Sequence, residues 1–266
     1  MVTDPERLVT VLVGGVSELF QRDLDLGRLA VEALQQEQLG PGVVVEELHY
    51  GAVAVAQRLE DLRPGTLILV SAVVRGRPAG RVERRRIDPP DLTPADVQAA
   101  IGDAVTGYVH PDLVIEISGA LGALPPRVVT VELEPEVVGP GEGLSESGMR
   151  GLEVVLQLVR AETRRAPLIA LAAELRELLV PERLEASVAL TAILALLVEL
   201  ETLDRDGRWG RAFALRDRLR LGIAAGASSE GMESRDWALW WALIEELDRL
   251  EAIEAVSTQA PGQGSR

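Results

Sequence analysis

The sequence predicts an α/β domain with a mostly parallel sheet and helices on both faces, followed by an all-α helical domain. Three observations predict it. Between residues 8 and 135, short β-branched runs alternate with helix-like segments. Most of those runs are continuously apolar, as strands covered on both faces must be. After residue 165 no strand-like run remains, and apolar residues recur only at helical spacing.

Taken in order, strands are expected at LVTVLVG (8–14), VVVEEL (43–48), TLILVSAVV (66–74), GRVERRRI (80–87) and RVVTVELEP (127–135). Between them DLGRLAVEALQQEQ, AVAVAQRLEDL, TPADVQAAIGDA and PDLVIEISGALGAL read as helices. Pro135 and VGPGEGLSESG break the alternation, and GMRGLEVVLQLVRAETRR closes a first domain, 1–165. A second domain, 166–256, holds four helical segments. They are PLIALAAELRELL, RLEASVALTAILALLVELETL, RWGRAFALRDRLRLGIAAG and RDWALWWALIEELDRLEAIEA. The breaks VPE, DRDG and GASSEGMES are short, so neighbouring helices should run antiparallel. The tail STQAPGQGSR has nothing to bury, and residues 257–266 are expected to be disordered. No internal repeat is visible.

Composition narrows the function. The 266 residues carry 42 acidic against 27 basic side chains, a formal charge of −15. Nucleic acid and anionic membrane surfaces, which need basic patches, are therefore not expected partners. There is no cysteine, so disulfides, thiolate metal sites and a cysteine nucleophile are excluded. With two histidines in all, a conventional zinc site is not expected. MVTDPERL carries charges where a signal peptide needs an apolar segment, and ASVALTAILALLV (186–198) is too short to span a bilayer. The expectation is a soluble, cytoplasmic protein.

Several local signatures occur together in the first 163 residues. GVSELFQRDLDLGRLAVEAL places Gly15 and Gly27 around an acidic cluster before a helix containing Val31-Glu32-Ala33-Leu34. LVSAV (69–73) ends a strand, and GRPAGRVERRR follows it. LGALP (121–125) ends a helix, and EPEVVGPGEGLSESG (134–148) follows the last strand. In this order and spacing the chain resembles the nickel–iron hydrogenase maturation endopeptidases. The four helices after residue 165 fall outside that pattern.

The resemblance implies a nickel-guided peptidase acting on the C-terminus of the [NiFe] hydrogenase large subunit. It implies three metal-facing groups: a glutamate in the first loop, an aspartate at the end of the third strand's equivalent, and a histidine. Ungapped counting puts these at Leu24, Ser71 and Gly107, so all three are substituted. The loop asparagine of the family stands as Glu18. A shifted metal set of Glu18, Asp23, Asp25, Ser71 and His110 is the rescue to test. His110 would return to the face of Gly107 if both lay on one helix. Otherwise Asp23 and Asp25 are loop and helix-start charges, no resident cofactor is expected, and nickel would be transient.

Other candidates are weaker. His49, in EELHYGA, is close to Glu46 and Glu47 but reads as a structural strand-end residue. GPGEG (139–143) lacks the lysine of a P-loop, and Ser145 or Ser147 reads better as a helix cap. No Gly-x-Ser-x-Gly elbow or Ser–His–Asp set is present. Arg84, Arg85 and Arg86 belong to a charged edge strand, or to a docking edge for an acidic partner. Trp237, Trp240 and Trp241, with Ile244 and Leu247, share one helical face, either bundle core or an interface anchor.

Three functions follow. The first is a hydrogenase assembly protein that binds the large subunit without cleaving it. The second is an active nickel-dependent endopeptidase using the shifted set. The third is a reused scaffold whose tryptophan-bearing helices mediate homo-oligomerisation.

Overall fold

The computed structural model describes residues 10–104, 109–179, 188–226 and 234–259. Gly107 and residues 260–266 of the expected disordered tail lie outside these residues, whereas residues 257–259, expected to be disordered, end the last helix. The chain divides into two compact units, Met1–Ala166 and Pro167–Arg266.

The first unit is built on five strands: β1 (Val11–Gly15), β2 (Val43–Glu47), β3 (Thr66–Ala72), β4 (Val82–Ile87) and β5 (Arg127–Leu133). They lie in the order β2-β1-β3-β5-β4. β2, β1, β3 and β5 are parallel, and β4 runs antiparallel along β5. β3 and β5 are buried at every position, whereas edge strands β2 and β4 are only half-buried.

Alternation sorts the side chains between two cores. Val11, Val13, Ile68, Val70, Val129 and Val131 pack on α1 (Leu26–Gln35) and on Val155, Leu156 and Val159 of the α5 helix, Glu146–Glu177. Leu12, Leu67, Leu69 and Val128 face the opposite layer. That layer is α2 (Ala52–Leu62), α3 (Pro94–Ala104) and α4 (Pro111–Ala120). Parallel strands alternating with helices cover both faces, as the sequence predicts.

Gly15 and Gly27 let β1 and α1 approach. A Cβ on Gly15 would sit 2.4 Å from the Gly27 carbonyl oxygen, and one on Gly27 would sit 2.5 Å from that of Val16. No side chain fits at either position.

The second unit comprises the C-terminal turns of α5, then α6 (Val188–Asp206), α7 (Ala212–Gly226) and α8 (Ser234–Gln259). Its core gathers Leu175, Ile193, Leu200, Trp209, Leu219, Trp240, Leu243, Ile244 and Leu247. Two expectations need correction. Pro167 was expected to start a new helix, but it lies inside α5. Buried Ala166 and Leu168 flank it, and their burial offsets the helical hydrogen bond that proline removes. The common tryptophan face also divides: Trp240 is 1% exposed and Trp241 51%. The buried positions 240, 243, 244, 247 and 250 form the stripe, and position 241 turns about 100° away from it. The side chain of Trp237 lies outside the described residues. Among the described residues no helix is long and apolar enough to cross a membrane.

Candidate functional site

Parallel α/β sheets place ligand sites beyond the carboxyl ends of their strands. Here β1 continues as Val16-Ser17-Glu18, and β3 as Val73 and Val74, held side by side by Val16 N–H donating to the Val70 carbonyl at 2.9 Å. With Leu24, Ser71, Ala72 and Val109-His110-Pro111 these segments enclose a cavity of about 320 Å³. Most of its wall is aliphatic.

Its polar groups have distinct states. Ser17 Oγ accepts from Arg28 N–H at 2.6 Å. His110 is extended and caps α4, its Nδ1 accepting from Leu113 N–H at 3.3 Å, with Pro111 opening the helix. As a cap with non-helical dihedrals, His110 does not itself lie within a helix, the condition under which it would return to the face of Gly107. Ser71 is 1% exposed, and among the described residues its hydroxyl has no hydrogen-bond partner. By strand alternation it belongs to the face of Leu67 and Leu69, the α4 side.

Of the shifted set, the cavity brings together Glu18, Ser71 and His110 but not Asp23 or Asp25. Asp23 is fully buried, and its carboxylate accepts from the N–H groups of Glu136 (2.9 Å), Val137 (3.0 Å) and Ser145 (2.6 Å) and from Ser145 Oγ (2.8 Å). Burial pushes its carboxyl up, but the donors of Val137, Ser145 and Glu136 outweigh this and hold it below the ordinary aspartate value. Asp25 is bound by Arg28, whose Nη2 lies 2.5 Å from Oδ2. Both carboxylates are fasteners of the loop before α1. Among the described residues no three His, Cys, Asp or Glu side chains group to hold a metal ion.

The loop between β1 and α1 is strained. Phe20 and Arg22 have φ of 59° and 52°, a left-handed conformation costly for bulky residues. Gly141 N–H donates to the Phe20 carbonyl (2.8 Å), and Arg22 N–H to the Gly141 carbonyl (3.1 Å). The loop after β5 thus clamps it, leaving Phe20 exposed.

Beside the cavity is a feature that the sequence reading missed. Glu132 of β5 is fully buried, and accepts from Arg75 Nη2 (2.9 Å), Arg77 Nη2 (2.7 Å) and Arg85 Nη2 (2.9 Å). Arg75 turns its other edge to Asp112 of α4, at 2.7 and 2.8 Å, and so ties the cavity rim to the sheet. Burial raises the Glu132 carboxyl, but the bonds from Arg75 and Arg77 and the charge of Arg85 bring it down to about 2. The only hint in the sequence is polar residues interrupting an apolar strand in VELEP.

Arg84 and Arg86, candidates with Arg85 for a docking edge, also have partners within the fold. Arg84 pairs with buried Glu162 (3.2 Å), which Arg127 and Arg165 also hold. Arg86 donates to the carbonyls of Val128 and Pro126. His49 is exposed, with Nδ1 3.7 Å from Glu47 and its ring edge-on to Tyr50.

No protein-family model and no curated protein matches the chain. Solved structures do. A hydrogenase 2 maturation peptidase from a Thaumarchaeota archaeon is 24% identical, with a TM-score of 0.43 over 56% of this chain and 95% of that one. The maturating endopeptidase HybD from E. coli is 23% identical, with a TM-score of 0.43 over 59% of this chain and 93% of that one. Another endopeptidase from Escherichia coli is 25% identical, with a TM-score of 0.44 over 59% and 92%. These likenesses cover somewhat more than half of this chain, and its C-terminal part is unmatched.

Proposed function

We propose that the chain is an assembly protein of [NiFe] hydrogenase maturation that binds the large subunit without cleaving it. The ordered motifs around Gly15, Gly27, LVSAV, LGALP and EPEVVGPGEGLSESG support the role in maturation. One observation carries the loss of cleavage. Leu24 and Ser71, where two metal-facing carboxylates would stand, line one cavity at the ends of β1 and β3.

The site keeps its position but has lost the family's carboxylates at Leu24 and Ser71, and Glu18 is the carboxylate left in its wall. Leucine has no donor atom, a neutral serine hydroxyl is a poor nickel ligand, and His110 uses Nδ1 as a helix cap. Asp23 and Asp25 are spent on the loop. These residues do not fit a nickel ion, and no step is derived through one.

The test mixes the full chain with nickel-loaded large-subunit precursor and follows size-exclusion elution and intact mass. Co-elution with the precursor mass unchanged is the expected result. Loss of a C-terminal peptide would make the chain a peptidase, and separate elution would remove the large subunit as partner. A homo-oligomer formed through Trp241 would elute early without any precursor.

A further inference from the structure

The loop between β1 and α1 and the loop after β5 carry an exposed apolar surface between them. Leu19, Phe20, Val137 and Val138 are all exposed, Phe20 at 62%. Backbone hydrogen bonds hold the two loops side by side: Gly141 N–H donates to the Phe20 carbonyl (2.8 Å), and Asp23 N–H to that of Val137 (3.2 Å). Among the described residues none of the four belongs to either core of the first unit, and none lines the cavity. An exposed apolar residue standing alone is ordinary. Several gathered on interlocked loops are the usual mark of a binding surface.

The backbone sharpens the point. Phe20 has a φ of 59°, where glycine would be unstrained. The bond to Gly141 needs only the Phe20 carbonyl, so the hydrogen-bonded clamp gives no reason for a ring at this position. A bulky side chain kept in a strained conformation and left in water is a cost to the isolated fold, and such costs gather at functional positions. The surface is also fixed in advance. The Asp23 carboxylate holds the N–H groups of Glu136 and Val137 at 2.9 and 3.0 Å. A partner therefore meets loops that are already ordered.

Charge selects the partner. Residues 18–22 and 136–142 carry Glu18, Glu136 and Glu142 against Arg22 alone. Arg22 is folded back on its neighbours, its Nη1 donating to the Glu142 carbonyl at 2.7 Å. A second copy of this chain, itself at −15, would set the same excess of carboxylates against itself. We propose that this surface docks a folded protein whose contact face is apolar at its centre and rimmed by arginine or lysine. The inference rests on the reading that the partner is the large subunit. It adds a contact with the folded body of that subunit, apart from the cavity and from the C-terminal peptide.

The test titrates the full chain, by calorimetry, with large-subunit precursor and separately with precursor cut short at its C-terminus. Comparable affinity for the two forms is expected. Phe20→Gly and Val138→Asp should each weaken both complexes roughly tenfold, as loss of an interface anchor does. Neither should lower the melting temperature, because glycine suits the φ at position 20 and Val138 is exposed. A fall in that temperature for either variant would make the residue a packing element and overturn the inference. Added salt should weaken binding by screening the charged rim, and binding that salt leaves unchanged overturns the basic partner. Parent and variants binding equally well overturns the docking surface and leaves the assembly role standing. Binding lost when the precursor is cut short does the same, since it confines the contact to the C-terminal peptide. A parent chain that binds neither form removes the large subunit as partner, and this inference with it.

Discussion

Ser145 donates both its backbone N–H and its hydroxyl to the carboxylate of Asp23, at 2.6 and 2.8 Å, across 122 positions of sequence. The loop before α1 and the loop before α5 are thereby one structure, and the cavity wall at Leu24 is anchored by its neighbour Asp23.

Asp23→Ala should therefore act on stability before anything else. It removes the charged acceptor of the part-buried N–H groups of Glu136, Val137 and Ser145, bonds worth about 1.5–3 kcal/mol each. A loss of about 3 kcal/mol or more in urea denaturation is expected, with Asp23→Asn intermediate. A variant as stable as the parent would free Asp23 for another role.

Acid should unfold the chain. Glu132 is held at about 2 against an ordinary value of 4.5, and Asp23, Glu134 and Glu162 are lowered too. A depressed carboxyl stabilises the fold above its unfolded value, and the contribution is lost as pH falls toward the folded one. Urea midpoints should hold from pH 7 to about 5 and fall steadily between pH 4.5 and 2. Glu132→Gln should flatten that slope.

Gly27→Ala is the sharpest test of the scaffold. Its Cβ would meet the carbonyl oxygens of Val16 at 2.5 Å and Val70 at 2.7 Å, both backbone and unable to swing aside. A loss of about 1–3 kcal/mol is expected from the overpacking.

The two adjacent tryptophans should separate. Trp240→Ala removes a fully buried side chain and should cost about 3–5 kcal/mol. Trp241→Ala, half-exposed, should stay within about 0.5 kcal/mol in the free chain. Equal effects in chemical denaturation would mean that the helix packs another face.

Strands β3 and β5 were legible because a doubly covered strand has no polar alternative: TLILVSA and RVVTVEL announce burial by composition. The cavity was legible in outline, since glycines 15 and 27 mark an approach that only glycine allows. The fate of Asp23 was not. Whether a carboxylate faces a cavity or a loop depends on a partner 122 residues away, and local spacing holds no trace of it. His110 was misplaced for a related reason. The Pro111 beside it signals a helix start, and that signal outranks the three-residue spacing to Gly107. Both arginine-held glutamates, Glu132 on β5 and Glu162 on α5, were hidden because charge in a strand or helix reads as solvent exposure until the third dimension supplies the guanidinium.

The whole chain contains 27 arginines and no lysine, and the cage around Glu132 shows one use of that choice. Arg75 grips Asp112 with one edge of its plane and Glu132 with another, a reach that a single ammonium cannot reproduce. The same choice leaves every side chain without a primary amine. Amine-directed crosslinkers, acetylation and ubiquitin transfer therefore find no lysine here, and a partner can be captured only through the carboxylates of this chain and the amines of the other.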